Sequence, residues 1–188
     1  GMATLVSTWL ADPTVRERCN LLVIGGDLEH PSPEEAGELA RIRDAVSSDE
    51  AAGEGLLLAG HRPNTTTTAW LAAAHRGIPG GCAPGGVYVC ASLKEEFGIA
   101  ILEAMATGLV VVAPTSGGQA TYIEDGVTGV LTDTSRPQAL AGGVARALDL
   151  VAAAGDPLRS RRSRAVVRER FGIDTMACAL GEVYARVA

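Results

Sequence analysis

Five short apolar runs recur along the chain: Leu21-Leu22-Val23-Ile24, Leu56-Leu57-Leu58-Ala59, Val87-Tyr88-Val89-Cys90, Leu109-Val110-Val111-Val112-Ala113 and Gly129-Val130-Leu131. They are continuous, with no polar residue at alternate positions, and that pattern marks strands covered on both faces. The stretches between them place apolar residues three and four apart, as helices do. Strand and helix in alternation predict an α/β domain. The expected form is an open, doubly wound, Rossmann-like and mostly parallel sheet with helices on both faces.

The helical stretches carry their own punctuation. Ser32 is placed to cap a helix that Pro33 opens, Glu34 and Glu35 complement its dipole, and Leu39, Ile42 and Val46 form its apolar face. Four threonines lead into a helix holding Trp70, Leu71 and Ala74, and further helices are expected at Gly98–Thr107, Arg136–Val151, Arg159–Arg170 and Thr175–Val187. The Gly/Pro-rich segment from Gly77 to Gly86 reads as a loop. A helix-like piece, Thr4 to Leu10, precedes every strand, so the first strand of a doubly wound domain is expected to be missing. Gly1 ahead of Met2 reads as a tag remnant. Residues 2–152 are expected to form the Rossmann-like domain, and residues 156–188 helices that complete it or bridge away from it.

With 188 residues and 47% hydrophobic side chains, the chain can bury a substantial core. Its net charge of −6 argues against a general nucleic-acid binder, which needs an excess of cations for the phosphate backbone. The Arg-rich segment from Arg159 to Arg170 reads as a solvated helix face, the common case in an acidic chain. Cys19, Cys82, Cys90 and Cys178 show no metal-ligand spacing and are expected to be small buried hydrophobes in a reducing cytoplasm, with no metal bound. No signal peptide is evident, and no apolar run approaches the ~20 residues of a membrane span.

In an open parallel sheet, ligands bind beyond the carboxyl ends of the strands. Those ends are Gly25-Gly26-Asp27, Gly60-His61-Arg62, Ala91-Ser92-Leu93-Lys94-Glu95 and Thr115-Ser116-Gly117-Gly118. The third leads into a helix that is apolar on nearly every side yet carries Glu103 in its middle. Free N–H groups at the start of that helix suit a phosphate, and Gly98 permits close approach. Glu95 and Glu103 can each accept hydrogen bonds from hydroxyls, so a ligand with hydroxyls at both ends and phosphates between them fits the pattern. Blander readings stand beside it: Glu95 could serve only the helix dipole, Glu103 could cap a neighbouring helix, and Gly117-Gly118 could be only a turn.

The run from Glu95 through Phe97-Gly98 and Glu103-Ala104-Met105-Ala106 to Gly108, followed by Val110-Val111-Val112-Ala113 and Ser116-Gly117-Gly118, resembles the signature of retaining glycosyltransferases of family 4. Its core is two glutamates separated by seven residues. Leu22 to Leu28 and Ile123 to Leu131 extend the resemblance, and the Gly-Gly-Asp-Leu piece is similar to the sucrose-phosphate synthase and sucrose synthase branch.

That resemblance implies a two-Rossmann-domain (GT-B) enzyme whose C-terminal domain, present here, holds the nucleotide sugar. It assigns Glu95 to the donor sugar, backbone amides at Phe97, Gly98 and Ile99 to sugar and diphosphate, Glu103 to the ribose, Gly117 and Gly118 to the donor site, and His61 and Arg62 to the base. UDP-glucose is the implied donor, no tightly bound cofactor is required, and no side chain acts as a conventional base. Catalysis would rest on stabilising charge on the leaving diphosphate. The family's Arg and Lys that grip the diphosphate, and its acceptor domain, have no counterpart in these residues. Leu109 stands where a proline is usual, and the loop between Ala74 and Val87 is longer. The expectation is a donor-binding portion, inactive alone, that needs the missing domain or a partner subunit. The alternatives are a stand-alone nucleotide-binding module and a nucleotide-sugar epimerase, though His30, His61 and His75 form no acid–base grouping in sequence.

Overall fold

The computed structural model describes residues 1–47, 55–153 and 157–187. Strands form at all five apolar runs: β1 (Leu21–Ile24), β2 (Leu56–Gly60), β3 (Val87–Val89), β4 (Val110–Pro114) and β5 (Gly129–Thr132). The helices are α1 (Met2–Ala11), α2 (Pro13–Arg16), α3 (Pro33–Ser47), α4 (Asn64–Arg76), α5 (Ile99–Thr107), α6 (Pro137–Ala152), α7 (Pro157–Phe171) and α8 (Ile173–Val187). The short α2 was not anticipated. Asp12 caps it by accepting from the N–H groups of Thr14 (2.9 Å) and Val15 (3.3 Å), with Pro13 at the first helical position. The junction at 154–156 and residue 188 lie outside the described residues.

Every pairing within the sheets is parallel, as predicted, but the strands form two sheets rather than one. β1 pairs with β2, and β4 lies between β3 and β5. Helices cover both faces of the three-stranded sheet. On one side Ile101, Met105 and Leu109 pack with Val111 and Ala113 and with residues of α4 and α7. On the other, Val110, Val112 and Val130 meet Leu140, Val144 and Ala147 of α6 and Trp9 of α1. Val110 to Pro114 is buried throughout, the double-sided coverage that continuous aliphatics imply.

Coverage fails in the two-stranded sheet. Its inner residues Leu21, Val23, Leu56 and Leu58 pack against Val6 of α1 and Ile42 of α3. The register partners Leu22 and Leu57 face the other way and are 42% and 58% exposed. An aliphatic run reports what a strand can bury, not whether a layer lies over it.

Local signals act as expected elsewhere. Ser32 and Glu35 form a reciprocal capping box: Ser32 Oγ accepts the Glu35 N–H at 3.3 Å, and Glu35 Oε2 accepts the Ser32 N–H at 2.8 Å. The long loop before β3 reverses at Gly80 (φ +72°), closed by the Ile78 N–H donating to Cys82 O at 2.8 Å. Of the cysteines only Cys90 is buried. Cys19 is half-buried, while Cys82 and Cys178 are exposed, against expectation. Cys178 lies on α8, where Ile173, Met176, Leu180, Val183 and Tyr184 are also exposed, so the apolar stripe of that helix has no cover among the described residues.

Candidate functional site

The loop after β3 and the start of α5 are shaped by glycine. Gly98 sits at the N-cap with φ +82°, and an added Cβ would come within 2.7 Å of the Tyr122 hydroxyl. Its N–H donates to Glu95 Oε1 at 3.0 Å, so this carboxylate holds the backbone at the entry to the helix. The other oxygen, Oε2, faces the Cys90 thiol at 3.8 Å. Ile99 and Ala100, both exposed, follow at the open end of α5, where a helix has N–H groups without intrahelical acceptors. The first bond back into this turn is the Leu102 N–H donating to Gly98 O at 3.0 Å.

Gly117 and Gly118 lie directly beneath this loop. Gly117 bridges to Glu95 in parallel fashion, and the Gly118 N–H donates to Glu96 O at 3.0 Å. A Cβ on Gly117 would meet Glu95 O at 1.9 Å, and one on Gly118 would meet Glu96 O at 2.4 Å. Glycine is therefore required at both places for the loop to sit where it does. Gln119, fully buried, donates to the carbonyls of Pro114 (2.8 Å) and Ser116 (2.7 Å) and stiffens the turn from below.

Glu103 lies on α5 as a half-buried residue, not a core one. Its Oε1 accepts from Asn64 Nδ2, at the first turn of α4, at 3.1 Å. Tyr88 shows how the two glutamates relate. Burial foremost, then the charges of Cys90, Glu95 and Glu103, push its phenol far above the ordinary range. Tyr88 packs half-buried on the α5 side of the sheet, with both carboxylates near enough to act on its phenol. Tyr122 is pushed up to about 12 by burial and by Glu95. Its hydroxyl donates to Phe97 O at 2.6 Å, fixing the backbone just ahead of α5.

Phe97 turns its ring edge-on to Phe171 of α7, with centroids 5.6 Å apart. Ile99 is 68% exposed. His61 and Arg62 line a groove of about 290 Å³ with Gly26, Asp27, Leu28 and Gly60, at the carboxyl ends of β1 and β2. Arg62 donates to the His61 carbonyl at 2.8 Å and stands 6.0 Å from the Trp70 ring centroid. That groove includes neither Glu95 nor Glu103. The link is Asn64, two residues past Arg62, which joins the end of the loop to Glu103. A larger groove, about 480 Å³, lies beside Leu10, Pro13, Asn20 and Gly55 at the opposite ends of β1 and β2, away from every predicted site residue. Among the described residues no cluster of His, Cys, Asp and Glu could hold a metal ion.

Sequence reading missed Asn64, Tyr88, Cys90, Tyr122 and Gln119 as parts of this site. Tyr122 follows the Gly117-Gly118 pair closely and could have been noticed; Asn64 is 39 residues from its partner, and no spacing announces it.

The arginines of α7 hold that helix to the domain. Arg164 donates to Thr107 O at 2.6 Å and Ser160 to Gly108 O at 3.1 Å, closing the C-terminal end of α5. Arg170 donates to Thr121 O at 2.8 Å, and Arg162 pairs with Glu124 at 2.5 Å. No helix among the described residues is long and apolar enough to cross a membrane.

Residues 85–164, which contain both glutamates and the glycine pair, match the family model described as Glycosyl transferases group 1. A D-inositol 3-phosphate glycosyltransferase of Streptomyces griseus is 32% identical over 179 residues, covering 92% of this chain and 33% of that protein. A sucrose synthase of Acidithiobacillus caldus is 32% identical over 130 residues, covering 68% of this chain and 16% of that protein. Among solved structures, Anabaena HepE in complex with UDP superposes with a TM-score of 0.76 at 20% identity, over 99% of this chain and 45% of that one. A Thermosynechococcus elongatus sucrose-phosphate synthase gives 0.75 at 24% identity, over all of this chain and 42% of that one. The chain therefore spans a third or less of these curated relatives and under half of these solved proteins. Residues 85–164 are thus similar to the glycosyl transferases group 1 family, and the chain shares the Rossmann-like fold of these solved proteins.

Proposed function

We propose that this chain is the donor-binding portion of a retaining glycosyltransferase, with UDP-glucose as its donor. One observation carries the reading: Glu95 accepts from the Gly98 N–H at the start of α5, and Glu103 stands on that same helix, turned to Asn64 of α4. A diphosphate at that turn would be met by the N–H groups of Phe97, Gly98 and Ile99 and by the helix dipole. Glu95, which accepts from the Gly98 N–H, would release that N–H to the ligand and accept a sugar hydroxyl instead. Glu103 would exchange its Asn64 contact for a ribose hydroxyl, with His61 and Arg62 beside the base. Gly117 and Gly118 keep the loop low enough for the ligand to lie over it. The chemistry this supports is stabilisation of charge developing on the departing diphosphate, with no protein base. The crystallisation of HepE with UDP supports a nucleotide donor.

Calorimetry with UDP, ADP, GDP and UDP-glucose tests the assignment. UDP is expected to bind, Glu103→Ala to weaken it about tenfold or more, equivalent to about 1.4 kcal/mol, and Glu95→Gln to weaken UDP-glucose more than UDP. Equal, Glu103-independent binding of all three nucleotides would sink the reading. The chain alone is expected to transfer no sugar.

The bare stripe on α8 favours a related second reading, in which another polypeptide or domain completes the protein. Sedimentation of a sharp monomer whose α8 stripe binds no apolar dye would count against it.

A further inference from the structure

The peptide between Phe97 and Gly98 is held at both ends. Its carbonyl accepts from the Tyr122 hydroxyl at 2.6 Å, and its N–H donates to Glu95 Oε1 at 3.0 Å. A trans peptide is one rigid plane, with its C=O and its N–H pointing opposite ways. Whatever fixes the carbonyl therefore aims the N–H. The two holds differ in kind. Glu95 belongs to the loop itself, three residues before Gly98, whereas Tyr122 reaches it from 25 residues along the chain.

The second hold is firmly seated. Tyr122 is 4% exposed, and its ring meets Phe171 of α7 edge-on at 5.2 Å. Phe171 meets Phe97 in the same way at 5.6 Å. Arg170 donates to the carbonyl of neighbouring Thr121 at 2.8 Å, and the Tyr122 N–H goes to Gln119 O at 3.2 Å. The hydroxyl takes the place that a side chain on Gly98 would fill, 2.7 Å from an added Cβ. Gly98 O is more distant, at 3.4 Å, so the single phenolic proton goes to Phe97 O. Burial first, then Glu95 and Cys90, push this phenol up to about 12, and it stays a donor throughout the neutral range. Gly98 itself stands at φ +82°, ψ 54°. Glycine leaves that region at little steric cost, so local sterics do not keep the peptide from turning over once Glu95 lets go.

We propose that Tyr122 is a positioning residue for the donor site: its hydroxyl keeps the Gly98 N–H aimed at the diphosphate after Glu95 has turned to the sugar. This role rests on the donor reading of Glu95 and the first turn of α5. A donor already in place needs no reorganisation when charge arrives, and a bonded carbonyl strengthens the N–H of its own peptide. Phe171 acts one step further out, through the Tyr122 ring, and so ties α7 to the start of α5.

Tyr122→Phe in the full chain removes the hydroxyl and keeps the ring. Without nucleotide, NMR is expected to show the Phe97 carbonyl carbon moving upfield and the Gly98 amide exchanging about tenfold faster, with the circular dichroism spectrum unchanged. UDP is expected to bind about tenfold more weakly. Uridine, followed by NMR, is expected to bind as it does to the parent, because only the phosphates meet the held N–H. Thr132→Val deletes another hydroxyl-to-carbonyl bond, from Thr132 to Ala139 O at 2.8 Å, and is expected to alter none of these. Phe171→Leu keeps the hydroxyl and loosens the ring; it is expected to weaken UDP about threefold and decides the matter if Tyr122→Phe does not fold. An unchanged Gly98 amide, undiminished UDP binding, or equal losses for uridine and UDP would overturn the positioning role and leave the donor reading standing. A parent that binds no UDP, or binds it regardless of Glu103→Ala, sinks the donor reading and this role with it.

Discussion

The two halves of this molecule use the same kind of strand and end in different physical states. β3, β4 and β5 with α5, α6 and α7 enclose residues such as Ile101, Met105, Val111 and Val130 with no exposure at all. β1 and β2 are as aliphatic, yet Leu22 and Leu57 lie bare and only the face toward α1 and α3 is covered. Burial is a property of layers, not of runs. The proposed donor site falls in the covered half, where Gly117, Gly118 and Tyr122 fix the Glu95 loop, while the groove at His61 and Arg62 belongs to the thinner half. A precise first turn of α5 is thus set beside a loop with fewer supports.

The largest expected effect measures this difference directly. Ile101→Ala removes a fully buried side chain on α5 and is expected to cost about 2–5 kcal/mol in denaturant unfolding. Leu57→Ala removes a side chain that is 58% exposed and is expected to cost under about 0.5 kcal/mol. Similar losses from the two would mean that the open face of β2 is covered after all.

Gly117→Ala comes next and bears on the site. The residue combines φ +123° with a Cβ position 1.9 Å from Glu95 O, so the Glu95 loop must lift. Positive φ in a side-chain-bearing residue costs about 1–3 kcal/mol, and the displaced backbone adds to that. UDP binding is expected to be lost while the circular dichroism spectrum stays that of the parent. Undiminished binding would separate the glycine pair from the ligand.

Much of this was legible in the residues, for reasons that differ by element. Strand positions could be read because short apolar runs suit little else between helical stretches, and the Ser32 cap because it directly precedes Pro33; the return bond from Glu35 to the Ser32 N–H goes beyond the dipole role read for that acid. The run from Glu95 to Gly108 stood out because its residue pattern resembles a family signature, whereas its bonds to Asn64, Gly118 and Tyr122 could not be read from it. What escaped depends on contacts distant in sequence. The pairing that splits the sheet is not encoded in the period of any strand. Asn64 meets Glu103 only because α4 lies beside α5, and Cys178 is exposed because no layer among the described residues covers the apolar stripe of α8.

The smallest effect probes the edge of the covered half by pH. His75 ends α4, and its imidazole is held below its ordinary value of 6.5 by burial first, then by the positive charges of Arg164 and Arg76. A depressed value means that the unfolded chain takes up a proton at a higher pH than the folded one. The stabilising contribution is therefore fully present above pH 6.5 and is lost as the pH falls from there through the folded value. His75→Gln is expected to flatten that part of the stability profile without changing the plateau. Arg164→Ala sharpens the test, because it removes one of the charges and also the bond from Arg164 to Thr107 O at the end of α5. If α7 is packed against this half as the hydrogen bonds indicate, imidazole resonances of that variant will titrate at higher pH than those of the parent. An unmoved titration would mean that Arg164 does not stand beside His75, and that the covered half ends at α5 rather than at α7.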